Sequence, residues 1–232
     1  MEDSLGNRIK NSYEDRYRFK LLRRTYTIIR IDGKSFHTLL QHCKKPFDLD
    51  IMNAMNETAR FVCENSQCVK LAFIQSDEIN LLLADFDTIN TEMWFDGNIQ
   101  KIASVSASIA TAKFNDMNIV GRYAFFDARV FSIPDSVEVE NYFIWRQKDA
   151  TKNSIQMVAR TFYSHKDLIG KKLEELQEMI FQKGQNWNNY SIGEKRGRCI
   201  IKDESGWHII EPPIFTQDRD FLRNIIDNIR QD

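Results

Sequence analysis

Apolar and polar positions alternate along this chain with two periods, and each change of period marks a predicted element. Tyr26 to Ile31 is rich in β-branched residues and ends in Asp32-Gly33, which predicts a buried strand that stops at a carboxylate and turns into a helix carrying Phe36, Leu39 and Leu40. Pro46 interrupts that helix. Ile51, Met52, Met55, Ala59, Val62 and Cys63 then recur at helical spacing. Val69 to Gln75 and Ile79 to Ala84 are apolar runs of strand length, joined by a tight turn that holds Asp77 and Glu78. Trp94 to Phe114 reads as a helix, and Phe125 to Ile133 as a fourth strand broken by Pro134. Ahead of these, Leu5, Ile9 and Tyr13 predict a surface helix over residues 5 to about 20. After Pro134 the spacing predicts helices from Val137 to about Ser164 and from Lys166 to Lys183, the second stopped by Gly184. Short strands at Arg198 to Lys202 and Trp207 to Ile210, and a helix from about Asp218 to Ile229, complete the chain.

The order β-α-β-β-α-β predicts an α+β fold of the ferredoxin-like, palm type over residues 1–135. A mostly helical extension, residues 136–232, packs on the same domain. In that topology strands one and three are central antiparallel neighbours. Asp32 and Asp77, 45 positions apart, are therefore expected to meet at one end of the sheet. Crowded carboxylates repel, and relief requires a raised pKa or a cation. Aspartates and a backbone carbonyl at Gly33 are hard oxygen donors of the kind magnesium accepts while it also holds phosphates, and two such ions can clamp an in-line phosphoryl displacement. The amides of Lys34, Ser35 and Phe36, at a helix start, are candidate phosphate donors. Gly33-Lys34-Ser35 resembles the end of a P-loop, but the glycine that motif needs at position 28 is Ile28. The competing readings are structural: an Asx-type cap at Asp32, and solvated turn formers at Asp77 and Glu78.

A formal net charge of −1 over 232 residues gives no global attraction to nucleic acid, so any RNA contact rests on local patches. The patches are Arg16, Arg18, Lys20, Arg23 and Arg24, and further on Lys195, Arg196 and Arg198; such a patch alone is more often a solvated face. Cys43, Cys63, Cys68 and Cys199 lack C-x-x-C spacing and the four histidines do not cluster with them, which argues against zinc and for reduced thiols. With no apolar run of the roughly 18 residues a bilayer requires and no basic-then-apolar leader, a cytoplasmic protein is expected.

Four motifs in order, Ile31-Asp32-Gly33-Lys34-Ser35-Phe36-His37, Gln75-Ser76-Asp77-Glu78, Phe126-Asp127-Ala128-Arg129-Val130 and Tyr142-Phe143-Ile144-Trp145-Arg146-Gln147, resemble the tRNA-histidine guanylyltransferase superfamily. The likeness extends to Lys195-Arg196-Gly197. It implies an enzyme that adds nucleotides 3′-to-5′ at the 5′ end of tRNA. The incoming 3′-hydroxyl attacks a 5′-triphosphate, or a 5′-monophosphate first activated with ATP, and ATP and GTP serve as substrates and activators. It further implies Asp32 and Asp77 as side-chain ligands of two Mg2+ ions, Gly33 as a backbone ligand and Glu78 as an assisting catalytic group. Lys34, Ser35, Phe36 and His37 would hold a triphosphate; Lys45 and Asp48 would line the activating nucleotide, and Ser76 is a further nucleotide-binding candidate. Arg30, Lys101 and Arg129 are candidates to neutralise a second triphosphate, with ordinary surface ion pairs as the alternative. Arg16, Arg18, Arg23, Arg24, Lys152, Asn153, Lys195 and Arg196 are candidate tRNA contacts, and the resemblance implies a homo-tetramer. Members that serve histidine tRNA carry a histidine-isoleucine-asparagine-asparagine-leucine-tyrosine-asparagine run where this chain has Ala150 to Met157. Loss of the histidine and tyrosine makes it more similar to the bacterial-type members that repair truncated 5′ ends by copying the opposite strand. The other readings are non-templated guanosine addition to histidine tRNA, a nucleotide cyclase, and a tRNA-binding module without catalysis.

Overall fold

The strand that carries Asp32 next to its last residue is the second strand of a six-stranded antiparallel sheet. The computed structural model describes residues 4–227. In chain order the elements are α1 (Ser4–Ile9), β1 (Tyr26–Gly33), α2 (Phe36–Leu39), α3 (Leu49–Glu64), β2 (Val69–Gln75), β3 (Glu78–Ala84), α4 (Ile99–Asp116) and β4 (Phe126–Ile133). They continue with α5 (Ser136–Phe162), α6 (His165–Leu168), α7 (Leu173–Gln182), α8 (Ile192–Arg196), β5 (Arg198–Asp203), β6 (Gly206–Ile210) and α9 (Asp220–Asp227).

The spatial order is β4-β1-β3-β2-β5-β6, which is the expected split β-α-β arrangement widened by the late hairpin β5–β6. Register pairs Asp32 with Glu78 on one side and with Asp127 on the other. Because side chains alternate across a pleated sheet, Ile28, Arg30 and Asp32 share one face and Ile29 and Ile31 the other. Burial follows that parity. Ile29, Ile31, Ile74, Ile79 and Leu81 pack with Met55, Val62 and Phe114 from α3 and α4. Ile28, Leu71, Phe73 and Leu82 pack with Val139, Tyr142 and Phe143 of α5 and with Leu222 and Ile226 of α9. Each such side chain contributes about 1.5–3 kcal/mol by leaving water, so the two layers together fix the sheet. Exposed Asp127 and Arg129 on the free edge strand β4 discourage another chain from pairing there.

Helix starts are set by side-chain caps. Asp48 accepts from Asp50 N at 3.0 Å and Ile51 N at 3.3 Å, and Asp135 accepts from Val137 N at 2.9 Å and Glu138 N at 3.1 Å. Three predicted helices take a different form. The amino-terminal helix is α-helical only to Ile9, continues as a π turn and a 3-10 turn to Tyr17, and buries no residue. Trp94 to Gly97 forms a separate turn with positive φ at Phe95 and Asp96, so α4 begins only after the Asn98 cap. The stretch Lys166 to Lys183 is broken at Gly170, where φ is +76, into α6 and α7. Gly184, at φ +77, ends α7 as its sequence position suggests. The short α8 has no counterpart in the sequence reading. The predicted carboxyl-terminal helix is present as Asp220–Asp227; its expected last turn lies outside the described residues. Among the described residues no helix is long and apolar enough to cross a membrane. The four cysteines are free, Cys63 and Cys199 buried.

Candidate active site

Asp32 and Asp77 come together because the β2–β3 turn closes onto the end of β1. Gly33 N donates to the Asp77 carbonyl at 3.1 Å. Ser76, in the turn, takes φ +47, and Ser35, after β1, takes φ +56; both are left-handed positions that non-glycine residues avoid. Strained backbone thus stands beside each aspartate. Gly33 is required locally: a Cβ there would lie 2.4 Å from the Phe36 ring. That ring packs on Phe114 and Phe126 at 5.4 and 5.1 Å and anchors the loop to the core.

Burial is the main cause that raises the pKa of both acids. For Asp77 it outweighs hydrogen bonds from the backbone and Ser76, and with the charges of Asp32 and Glu78 it brings the carboxyl to about 6. Asp32 is raised by burial, then by Glu78 and Asp127, against the lowering effects of Arg30 and Arg129. A carboxyl whose folded pKa is raised contributes its full stability below the unfolded value and loses it as pH rises through the folded value. Asp77 should therefore cost the metal-free protein about 1–2 kcal/mol between pH 4 and 6.5, after solvent screening of a half-buried group. Asp77→Asn is expected to be more stable than the parent at pH 7.5 in chelator and to lose that advantage at pH 4. Urea melts at both pH values check this, and a destabilised variant at pH 7.5 contradicts it.

Glu78 departs from its expected role. Both its oxygens are held by Arg146, Nε to Oε1 and Nη2 to Oε2 at 2.8 Å each, and Arg30 Nε stands 2.9 Å from Oε2. Asn80 donates to Oε1 at 2.7 Å and in turn accepts from the Tyr142 hydroxyl at 2.5 Å. A buried carboxylate bound so fully has no free oxygen for a metal; it ties α5 to the sheet beneath the aspartates.

Between these acids and α5 lies a cleft of about 850 Å³ lined by Arg30, Asp32, Gly33, Ser35, Phe36, His37, Lys45, Ser76, Asp77 and Glu78. Trp145, Arg146, Asp149, Asn153, Gln156 and Arg160 line its other wall. Sequence reasoning missed most of that second wall. Its signal was present: positions 145, 149, 153, 156 and 160 are polar or aromatic at helical spacing on one face. A smaller adjoining hollow of about 90 Å³, lined by Leu40, Cys43, Lys45, Asp48, Ser76 and Asn153, opens beside α3. The Asp48 carboxylate is committed to capping, with Lys44 N at 2.9 Å as a further donor, and these amides lower its pKa against the opposing effect of burial. Lys45 Nζ reaches the Leu40 carbonyl at 3.1 Å.

Several sequence candidates need correction. The Lys34 amide is not free, since it donates to the Phe125 carbonyl at 2.8 Å; the amides of Ser35, Phe36 and His37 make no backbone hydrogen bond outside their own helix among the described residues. Lys101 is at the wrong end of α4. Phe114 marks the end near the acids, and thirteen residues of helix separate the two by about 20 Å. Lys101 instead stands over the Phe95 ring at 5.7 Å. Arg129 sits opposite Arg30 in the ladder, exposed, and remains placed to meet an anion. Arg23 and Arg24 precede β1 and so lie at the far end of its eight residues. Arg18 pairs with Glu14 and Asp15, and Arg23 with Asp85 and the Thr91 carbonyl, as surface ion pairs do; Arg16 is exposed. Lys195 is buried, its Nζ donating to the Asn188 carbonyl at 2.6 Å above the Trp187 ring, and is unavailable to RNA. Lys195→Met is accordingly expected to lower stability by about 1–2 kcal/mol and leave the salt dependence of RNA binding unchanged. A shallower salt slope in a binding titration would contradict this placement. Lys152 is exposed and Arg196 half-buried over Trp187 at 5.2 Å.

Residues 6–134 match the profile of the family described as Thg1, tRNAHis guanylyltransferase. The chain is 30% identical over 212 residues to the tRNA(His) guanylyltransferase of Eremothecium gossypii, covering 82% of this chain and 87% of that one. Its structure is similar to a bacterial Thg1-like protein solved in complex with ATP, at 46% identity and TM-score 0.91, covering 96% of this chain and 99% of the other. A bacterial Thg1-like protein in complex with GTP matches at 42% identity and TM-score 0.83 over the same shares. The Saccharomyces cerevisiae tRNA(His) guanylyltransferase, at 23% identity and TM-score 0.72, shares the fold. Matched by the family profile over more than half its length and 30% identical to a tRNA(His) guanylyltransferase, the chain belongs to the Thg1 family, the tRNAHis guanylyltransferases, and with it to the nucleotidyltransferases.

Proposed function

We propose that this protein adds nucleotides 3′-to-5′ to the 5′ end of truncated tRNA, copying the opposite strand of the acceptor stem. The observation that carries the reading is the Asp32–Asp77 pair, raised in pKa, half-buried and facing a cleft of about 850 Å³. In the reaction the 3′-oxygen of the incoming nucleotide bonds to the phosphorus of an activated 5′ end. The bond from that phosphorus to the departing pyrophosphate, or to the departing nucleotide after activation with ATP, breaks; the hydroxyl proton passes to solvent. Arg30, Arg129 and the amides of Ser35 to His37 are the donors for the phosphates, and Lys45 and Ser76, on the wall of the same cleft, would meet the activating nucleotide. Relatives solved with ATP and with GTP support both nucleotides as ligands.

Among the described residues no three His, Cys, Asp or Glu side chains form a metal cage. Magnesium does not require one, since it is commonly held by one or two carboxylates together with substrate phosphates. Asp32, Asp77 and the Gly33 carbonyl fit that donor set, and magnesium bound there would offset the repulsion of the pair and the charge of the phosphates.

Template use is supported by the segment Ala150 to Met157. Ala150, Ser154 and Ile155 face the interior, and the Ser154 hydroxyl lies 2.9 Å from the Lys195 carbonyl while accepting the Trp187 indole N–H at 3.1 Å. The residues of the segment that do reach a groove, Lys152, Asn153 and Gln156 among them, include no aromatic ring or imidazole to stack on unpaired bases. The test is transfer of label from an α-labelled nucleoside triphosphate to a tRNA lacking its first residue. Labelled tRNA is expected; a cyclic nucleotide formed without tRNA, or no transfer, would refute the proposal.

A further inference from the structure

Two residues, Asp149 and Trp145, border both the acidic cleft and a second groove, of about 670 Å³, along the next flank of α5, and of the two only Trp145 is aromatic. Its indole is 51% exposed. One neighbour, the Arg146 guanidinium, lies 4.4 Å from the ring centroid, and Tyr142 meets it edge-on at 5.8 Å. Arg146 is itself fixed by Glu78, the ladder partner of Asp32, so the ring is tied to the acid pair through two intervening residues. A preorganised, half-exposed aromatic ring backed by a cation is a stacking platform for a base. The second groove carries exposed Lys148 and Lys152 with half-buried Arg196, against Leu173 and Ile214. Its single carboxylate, Asp149, is bound by Arg146 at 3.1 Å and Asn153 at 3.3 Å. Cations along an apolar wall suit a single nucleic-acid strand, with phosphates on the lysines and bases against the wall.

We propose that Trp145 divides the two strands of the substrate. The terminal base pair stacks on its indole, the 5′ end turns into the acidic cleft, and the 3′ single strand crosses α5 into the Lys148–Lys152–Arg196 groove. The inference rests on the function proposed above, and its test reads binding separately from nucleotide addition.

Two labelled acceptor-stem RNAs serve as probes, alike except that one keeps its 3′ single-stranded extension and the other is trimmed flush. For the parent protein, the extended RNA is expected to bind about tenfold more tightly, with the steeper salt dependence. In Trp145→Ala and in the double variant Lys148→Glu with Lys152→Glu that preference should fall to within about twofold, while Trp145→Phe retains most of it. Thermal melts matched to the parent guard against a folding defect, and Trp145→Phe supplies the rescue. Equal binding of the two RNAs by the parent overturns the inference, as does an unchanged preference in Trp145→Ala or in the double variant. A groove that instead takes a protein partner would give that result. Addition is scored on the same RNAs. A parent that adds nucleotides yet ignores the extension refutes the strand division alone, whereas a parent that prefers the extension yet adds nothing refutes the reaction alone.

Discussion

Asp32→Ala and Asp77→Ala are each expected to lower nucleotide addition about a thousandfold or more, equivalent to about 4 kcal/mol of transition-state stabilisation, while the fold survives. The fold survives because neither side chain contributes to either hydrophobic layer and both carboxyls are disfavoured as anions where they stand. Chelation of magnesium should stop the reaction in the same way without unfolding the protein. Single-turnover rates at saturating substrate, with a melting curve for each variant, decide the matter. Turnover near the parent's in either variant would remove the acid pair from the chemistry.

Arg146→Ala is expected to destabilise the protein by about 3 kcal/mol, an effect of a different kind. The guanidinium is buried and makes two 2.8 Å bonds to a buried carboxylate, and deleting one partner leaves the other charged and partly unpaired. The loss falls toward the lower end of the range for such pairs because Arg30 remains 2.9 Å from Glu78. The double variant Arg146→Met with Glu78→Gln should recover part of it, since no uncompensated charge is then buried. Denaturant melts provide the measurement; a cost under 1 kcal/mol for Arg146→Ala would show that the clasp between α5 and the sheet is not energetically significant.

These two sites differ in how readily the sequence discloses them. Asp32 and Asp77 are legible because a strand period of two, a glycine and a hairpin turn are local signals, and the topology they imply brings distant strand ends together. The Glu78 clasp is not, because its partner lies 68 positions away on a helix whose rotation about its axis only packing decides. Lys101 fails for a related reason: periodicity assigns a helical residue to a face but says nothing about which end of the helix meets the site. The Lys34 amide looked free at a helix start because the β4–β1 ladder, which pairs Gly33 with Phe126, runs one step further to the Phe125 carbonyl, and the length of a ladder is set by register, which periodicity does not give. Lys195 reads as a surface cation and is buried because the Asn188 carbonyl and the Trp187 ring receive its ammonium.

The most direct test of templated 5′-end addition is a panel of shortened tRNAs that differ in anticodon and in the base opposite the missing residue, each offered all four nucleotides. The expected result is extension of several tRNA species, with the nucleotide added following the Watson–Crick complement of the opposing base. Acceptance of the histidine anticodon alone, or guanosine added whatever base lies opposite, would contradict it and leave a non-templated guanylyltransferase.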